Sequence, residues 1–376
     1  MVPDTTPAIS YTLISSMKKY IRVLAESFLC ILLFLLLFHK ISLLCVCFGK
    51  GLDNNRNARL FYELPENTVD VLFVGDSHVY HSFVPQLIFD SEGYTSAIVG
   101  TSNQSIVNSY WIVKEALNRQ KPRILIIDVH SIEDTMRKKD NYLHFTSGIL
   151  SIPDLSLNKY LCYKDLKNAD YGISSTITVS DVMGFFQFRD DYERSEASLG
   201  GFMNLLFQPV KEFKTFGYYP ATEVEYVEEF VAGREKNEDF VSTISYAYLN
   251  RIYDLCEENG MQLILTRNLY SSGTGDIRSY DTIFAWAAQR NVEVIDFFGL
   301  IDEIGFDQAA DFCNQTHLNY SGAKKATGYL IDCLEKYGLT DHRQDKRYSL
   351  WSENTFDYGA IERELENNIR NADGSE

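Results

Sequence analysis

Short apolar runs of strand length, each cut off by a turn and followed by a helix-like pattern, constrain this chain more than any other feature. Asp70 to Gly75 reads as a buried strand, "PQLIFDSEG" as a helix and "TSAIVG" as a second strand. Next come the helix "SIVNSYWIVKEALNRQ", stopped by Lys121-Pro122, and a third strand, "RILIIDV". Further on, the helix "ISYAYLNRIYDLCEENG" closes on Gly260 and leads to the strand "MQLILTR", the helix "YDTIFAWAAQRN" and the strand "VEVIDF". A last helix spans Ser321 to Lys336. Strands this apolar are covered on both faces, and strands joined through helices run parallel. The spacing therefore predicts an α/β domain, a parallel sheet sandwiched by helices.

One segment does not belong to that domain. From Phe28 to Phe48, "FLCILLFLLLFHKISLLCVCF", about 21 residues are nearly all apolar, the length a bilayer needs. It reads as one transmembrane helix, because it is long for a signal sequence and "CVCFGKG" offers no small-x-small cleavage site. Lys18, Lys19 and Arg22 before it balance Lys50, Arg56 and Arg59 after it, so charge does not orient the helix. The chain divides into a short N-terminal tail with the transmembrane helix (1–49), the α/β domain (50–340) and a polar C-terminal tail (341–376), read as a surface helix or partly disordered. Within the domain, about 141–235 is an aromatic-rich insertion without strand-helix alternation. Its Phe202, Phe207, Tyr218 and Tyr219 form either a sugar-stacking wall or the insertion's own core.

Charge and cysteine narrow the function classes. A formal net charge of -17 and a pI near 4.9 exclude a nucleic-acid partner, which calls for a basic face. Cys30, Cys45 and Cys47 fall in the apolar segment, while Cys162, Cys256, Cys313 and Cys333 lack CxxC pairs or metal-ligand spacing and read as free buried thiols.

The first strand ends on Asp76-Ser77-His78. A serine on the turn between a buried parallel strand and the next helix sits at the carboxyl edge of the sheet, where ligands of open α/β folds bind. The helix N-terminus there favours developing negative charge. Such a serine needs a base. Of the seven histidines, His39 lies in the apolar segment, His78 and His81 lie beside the serine, and His130, His144 and His342 lack a suggestive local pattern. His317, in "DFCNQTHLNYSGAKKATGYL" before the last helix, can reach the serine across the sheet edge. Asp76 reads as support for its own turn. His78 lines the pocket or lies on the first helical turn. Asp128 and His130, ending the third strand, line the pocket or form a structural pair.

"VGDSH" after the first strand and "THLNYSGAKK" before the last helix together resemble the SGNH/GDSL hydrolase superfamily. The resemblance is closer to its membrane-anchored bacterial branch, which includes teichoic acid D-alanyl transfer proteins and polysaccharide O-acetyltransferases. It covers about residues 68–338 outside the insertion. It implies an SGNH-hydrolase-like, flavodoxin-like sheet in which Ser77 is the nucleophile and His317 its base, with an oxyanion hole from the Ser77 N–H, Gly100 and Asn103. Two positions depart from the pattern. "DVHSIED" stands where the superfamily has Gly-x-Asn-Asp, and Asn314 stands where an aspartate usually orients the histidine. Asp311 is a candidate replacement.

The function implied is a membrane-anchored acyl esterase or acyltransferase working through a serine acyl-enzyme on an acylated cell-surface glycan or cell-wall polymer. An acyl-donor membrane protein is a further partner, and no metal or organic cofactor is needed. The domain would be extracytoplasmic, at the cell membrane. The alternative, favoured by both departures, is a noncatalytic accessory or binding protein of a surface-polymer modification system.

Overall fold

The computed structural model describes residues 8–48, 60, 64–132, 148–150, 152–168, 176–187, 215–227, 243–270 and 280–373. Five parallel strands form the central sheet: β1 (Val71–Gly75), β2 (Ser96–Gly100), β3 (Ile124–Asp128), β4 (Gln262–Arg267) and β5 (Glu293–Asp296), in the order β2-β1-β3-β4-β5. Side chains alternate between the two faces of each strand. Leu72, Val74, Leu125, Ile127, Leu263 and Leu265 build one core, and Val71, Phe73, Ile124, Ile126 and Ile264 build the other. Burial on both faces explains the continuous apolar runs.

Helices cover both faces. Those that position the site are α2 (Ser77–Ser82), α3 (Pro85–Glu92) and, after β2, α4 (Ile106–Ala116). Leu157–Asn168, inside the expected insertion, is α5, tied to α4 where Trp111 Nε1 donates to Asp165 Oδ2 at 2.9 Å. Thr243–Asn259 (α6) and Asp281–Gln289 (α7) flank β4. After β5 come the single turn α8 (Ile301–Ile304), the hairpin β6 (Phe312–Asn314) with β7 (His317–Leu318), and α9 (Tyr320–Leu334). Because β1 lies between β2 and β3, the chain leaves it for one side of the sheet and continues on the other. The crevice beyond the carboxyl ends of β1 and β3 is the topological switch point, where open α/β sheets bind ligands.

The described end of the insertion, 215–227, is a strap across that edge. Phe216 O accepts from Ile98 N at 2.9 Å, Tyr219 N donates to Tyr80 O at 2.8 Å, and Glu225 N donates to Phe312 O at 3.0 Å. Gly217, at φ +93°, passes where a Cβ would come within 2.1 Å of Ile98 O, so only glycine lets the strap lie on β2. The segment after Asp341 is more than a polar tail. Trp351, in α10 (Ser349–Ser352), is buried, stacks on Phe216 at 4.7 Å and donates Nε1 to Ser96 O at 3.3 Å. The helix α11 (Tyr358–Asp373) follows and buries Leu365.

The N-terminal helix α1 runs from Ala8 to Phe48. Within it Ile14–Ser42, 29 residues that include an 18-residue window of mean hydropathy 2.4, is long and apolar enough to cross a membrane. Its far end docks on the domain: Ser42 is buried and accepts from Phe185 N at 2.9 Å, and Phe38 packs on Phe185 at 5.5 Å.

Candidate active site

Ser77 opens α2 directly beyond β1. Asp76 caps that helix, its carboxylate accepting from His78 N at 3.0 Å. At the opposite end of the domain sequence, the β6–β7 hairpin pairs Asn314 with His317. It presents His317 Nε2 to Ser77 Oγ at 2.7 Å, while His317 Nδ1 lies 3.1 Å from Asn314 Oδ1 and 3.0 Å from Thr316 Oγ1. Asn314 Oδ1 also accepts from the Thr316 amide at 2.9 Å, which fixes the oxygen towards the ring. With Nδ1–H donating to that oxygen, Nε2 carries the lone pair that faces the serine.

The hairpin is held by a residue that sequence reasoning did not single out. Asn319, buried at the start of α9, donates Nδ2 to Ala310 O at 2.8 Å and Phe312 O at 3.3 Å, while Oδ1 accepts from Ser321 N at 3.0 Å. Its signal was the asparagine directly before an apolar helical pattern, the N-cap signature. Asp311 is a correction. Its buried carboxylate accepts from Lys325 Nζ at 2.6 Å and from Asp307 N at 2.7 Å, away from His317, so Asn314 holds the place beside the imidazole. Lys325 arrives one helical face along α9 and claims the charge.

Gly100 ends β2 opposite Gly75. A Cβ on it would press within 3.0 Å of Gly75 O and 3.2 Å of Asp76 O, so the glycine lets two strand ends close beside the nucleophile. Asn103 takes the left-handed conformation, φ +49°, in the turn closed by Gln104 N to Thr101 O at 3.2 Å. Its assignment to an oxyanion hole rests on the resemblance.

Around the serine lies an imidazole cluster. His78 touches His130 at 4.1 Å and His317 at 5.3 Å, and His81 touches His317 at 4.5 Å. Burial, followed by the charges of neighbouring histidines, holds His78 and His81 well below the usual imidazole range, so both are neutral. His81 Nδ1 is buried without a partner among the described residues. Behind them Asp128 accepts from Asn268 Nδ2 at 2.7 Å and from the His130 amide at 2.9 Å. Burial and the Asp76 charge push its carboxyl up to about 7. Burial opposes the charge of Asp76 too, but His130 and His78 outweigh it and hold that carboxyl well below the usual range.

Asp76, His78 and His130 each bring a ligand-capable atom within 4.8 Å of the others. Asp76 Oδ2 and His130 Nδ1 are already 2.5 Å apart. Two ligands of a tetrahedral zinc at ~2.0–2.1 Å sit roughly 3.3 Å apart, so this contact reads as a hydrogen-bonded pair and not as a metal cradle.

Of the insertion's aromatics, Tyr218 is core, buried against Tyr320. Tyr219 is 44% exposed beside His81 at 5.0 Å, and Phe202 and Phe207 lie outside the described residues, as does His144. Tyr270, just beyond β4, touches His78 at 5.7 Å and Phe298 at 5.2 Å. Phe298 lines a cleft of about 780 Å³ with Tyr226, Asp302, Phe306 and Asp307.

No family profile and no curated protein matches this sequence. Among solved structures it is similar to a Bacteroides fragilis protein described as a "putative acylhydrolase", with 11% identity over 75% of this chain and 95% of that one, at a TM-score of 0.35. A likeness this low carries no functional argument.

Proposed function

We propose that this chain is a membrane-anchored, SGNH-like serine acyl esterase or acyltransferase acting on an acylated cell-surface glycan or polymer. The observation that carries the reading is the contact of Ser77 Oγ with His317 Nε2 at 2.7 Å at the sheet's switch point, with Asn314 Oδ1 behind the ring. His317 takes the serine proton as Ser77 Oγ attacks an acyl carbonyl, then returns it to the leaving oxygen. Water or a sugar hydroxyl next attacks the acyl-enzyme through the same base. Exposed Tyr219 and the cleft reached past Tyr270 are where neighbouring units of a polymer would lie. An acyl-donor membrane protein would supply the acyl group to the transferase.

A specific observation favours the rival reading, a noncatalytic accessory of surface-polymer modification. Behind His317 stands the Asn314 amide and not a carboxylate, so Asn314 does not stabilise imidazolium by charge. A fluorophosphonate probe on the full chain in detergent decides between them. Labelling confined to Ser77 is expected, and a chain that takes no label is an accessory.

A further inference from the structure

The domain carries an exposed apolar patch on the side where α1 meets it. Among the described residues outside α1, eight large hydrophobic side chains are exposed, and five of them fall between Leu155 and Phe186. Leu157 is 71% exposed, Leu155 46%, and Tyr160 and Val179 44% each. A cluster of this kind marks a contact surface, unlike the single apolar side chains scattered over any protein. The patch is continuous with the docked end of α1. Phe38 packs on Phe186 as well as on Phe185, with ring centres 6.3 Å apart. Asp154, next to Leu155, accepts from Lys159 Nζ at 2.6 Å, and its charge acts on His39 and Cys45 of α1. At the far end of α5, Lys167 Nζ donates to Ile177 O at 2.8 Å, which ties that helix to the turn Val179–Val182. The helix α5, that turn and the end of α1 therefore belong to one packed unit, with the four apolar side chains on its surface.

The length of α1 sets the depth of this unit. Lys18, Lys19 and Arg22, the last ion-paired with Glu26 at 2.7 Å, keep the helix before Val23 out of the hydrocarbon. From Val23 to Phe38 the helix rises about 24 Å at ~1.5 Å per residue, short of the ~30 Å of a bilayer core. The remainder of the span comes from the turn after Phe38, which ends on Ser42, and that turn is already seated on the domain. A membrane crossed by α1 therefore reaches the domain and meets the patch.

We propose that Leu155, Leu157, Tyr160 and Val179 form an apolar collar beside the end of α1 and lie in the headgroup and outer acyl zone of the bilayer, so that the domain rests on the lipid in one orientation. The occupant of the patch is lipid, because the surface continues from a helix whose apolar stretch is uncovered by the domain and because the span is completed only at the depth of the patch. Tyr160 suits that depth, since an aromatic ring with a hydroxyl tip sits at the boundary between acyl chains and headgroups. The collar rests on the reading of α1 as a membrane anchor and is independent of the chemistry at Ser77.

The test uses tryptophan as a depth probe in the full chain, reconstituted in dioleoylphosphatidylcholine vesicles with or without bromine on the acyl chains, which quenches indole emission on contact. Wild type supplies the background of Trp111, Trp286 and Trp351, all buried. Three variants each add one indole: Leu33→Trp in α1, Leu157→Trp in the patch, and Glu366→Trp on α11, which packs on the opposite face of the sheet from α5. The emission added by Leu33→Trp and by Leu157→Trp should be lost in brominated lipid, and that added by Glu366→Trp should be kept. If Leu157→Trp does not fold, as judged by thermal unfolding, Val179→Trp replaces it with the same expectation. Quenching of Leu33→Trp, with the patch variant as bright as Glu366→Trp in brominated lipid, overturns the collar, leaves the anchor standing and gives the patch to a protein partner. An unquenched Leu33→Trp overturns the anchor and the collar together.

Discussion

His317 Nε2 lies 2.7 Å from Ser77 Oγ across a sequence separation of 240 residues. The two meet because β1 and the β6–β7 hairpin deliver them to the same edge. If they act as a unit, Ser77→Ala and His317→Ala should each abolish fluorophosphonate labelling and p-nitrophenyl acetate hydrolysis to a similar extent. The double variant should lose no more than either single one, since losses within a catalytic unit do not add. Additive losses, or full turnover in Ser77→Ala, would break the pair.

Asn314 offers a gain-of-function test. Asn314→Asp keeps an oxygen for the Thr316 amide and places a carboxylate against His317 Nδ1. It should raise kcat by tenfold or more, bounded by the ~10⁴-fold that the handicapped aspartate-to-asparagine change costs a serine protease. A rate at or below wild type would mean that His317 does not become cationic in the slow step.

Asp311→Asn should act on stability and not on the base. Its carboxylate holds Lys325 and the Asp307 amide, so the substitution should lower stability by about 1–3 kcal/mol. In chains folded at the assay temperature, kcat should stay close to wild type. A large kcat loss at full folding would put Asp311 back into the relay.

The buried neutral histidines set a pH dependence. His78 and His81 are held below 6.5 in the fold, whereas the unfolded chain protonates both near that value. Their contribution to stability is therefore present above about pH 6.5 and is lost on acidification, at most about 1.4 kcal/mol per pH unit for each. Asp128, raised to about 7, works in the opposite sense between its unfolded value of 3.8 and 7, because there the native state holds the extra proton. Comparison of wild type with His81→Leu cancels that opposing slope. The variant's thermal midpoint should fall less steeply between about pH 6.5 and about pH 5. Equal slopes would show that His81 is protonated in the fold.

The strands were legible because Val71–Val74, Ile124–Ile127 and Leu263–Leu265 are buried on both faces and punctuated by turn residues. Ser77 and His317 were legible because each stands in a local pattern at an element boundary. The pairs Asp76–His130 and Asp128–Asn268 were not. They join residues 54 and 140 positions apart, and only strand order makes them neighbours. Asp311 and Asn314 both precede His317 closely, and spacing alone did not choose between them. The hairpin register did, by pairing Asn314 with His317 and leaving Asp311 to Lys325. Trp351 and Tyr348 stood as scattered aromatics in a polar stretch, and their use appears only once the flank of β2 is seen.

That flank bears on self-association. An outermost strand that offers its amides and carbonyls is a template for a strand of another copy. Here Ile98 N is taken by Phe216 O and Ser96 O by the Trp351 indole, with the two rings stacked over the seam. Two stretches distant in sequence thus act together as a guard on β2. A chain cut at 340 would lose the indole half of that guard, and the expected result is a folded sheet that sticks to its neighbours.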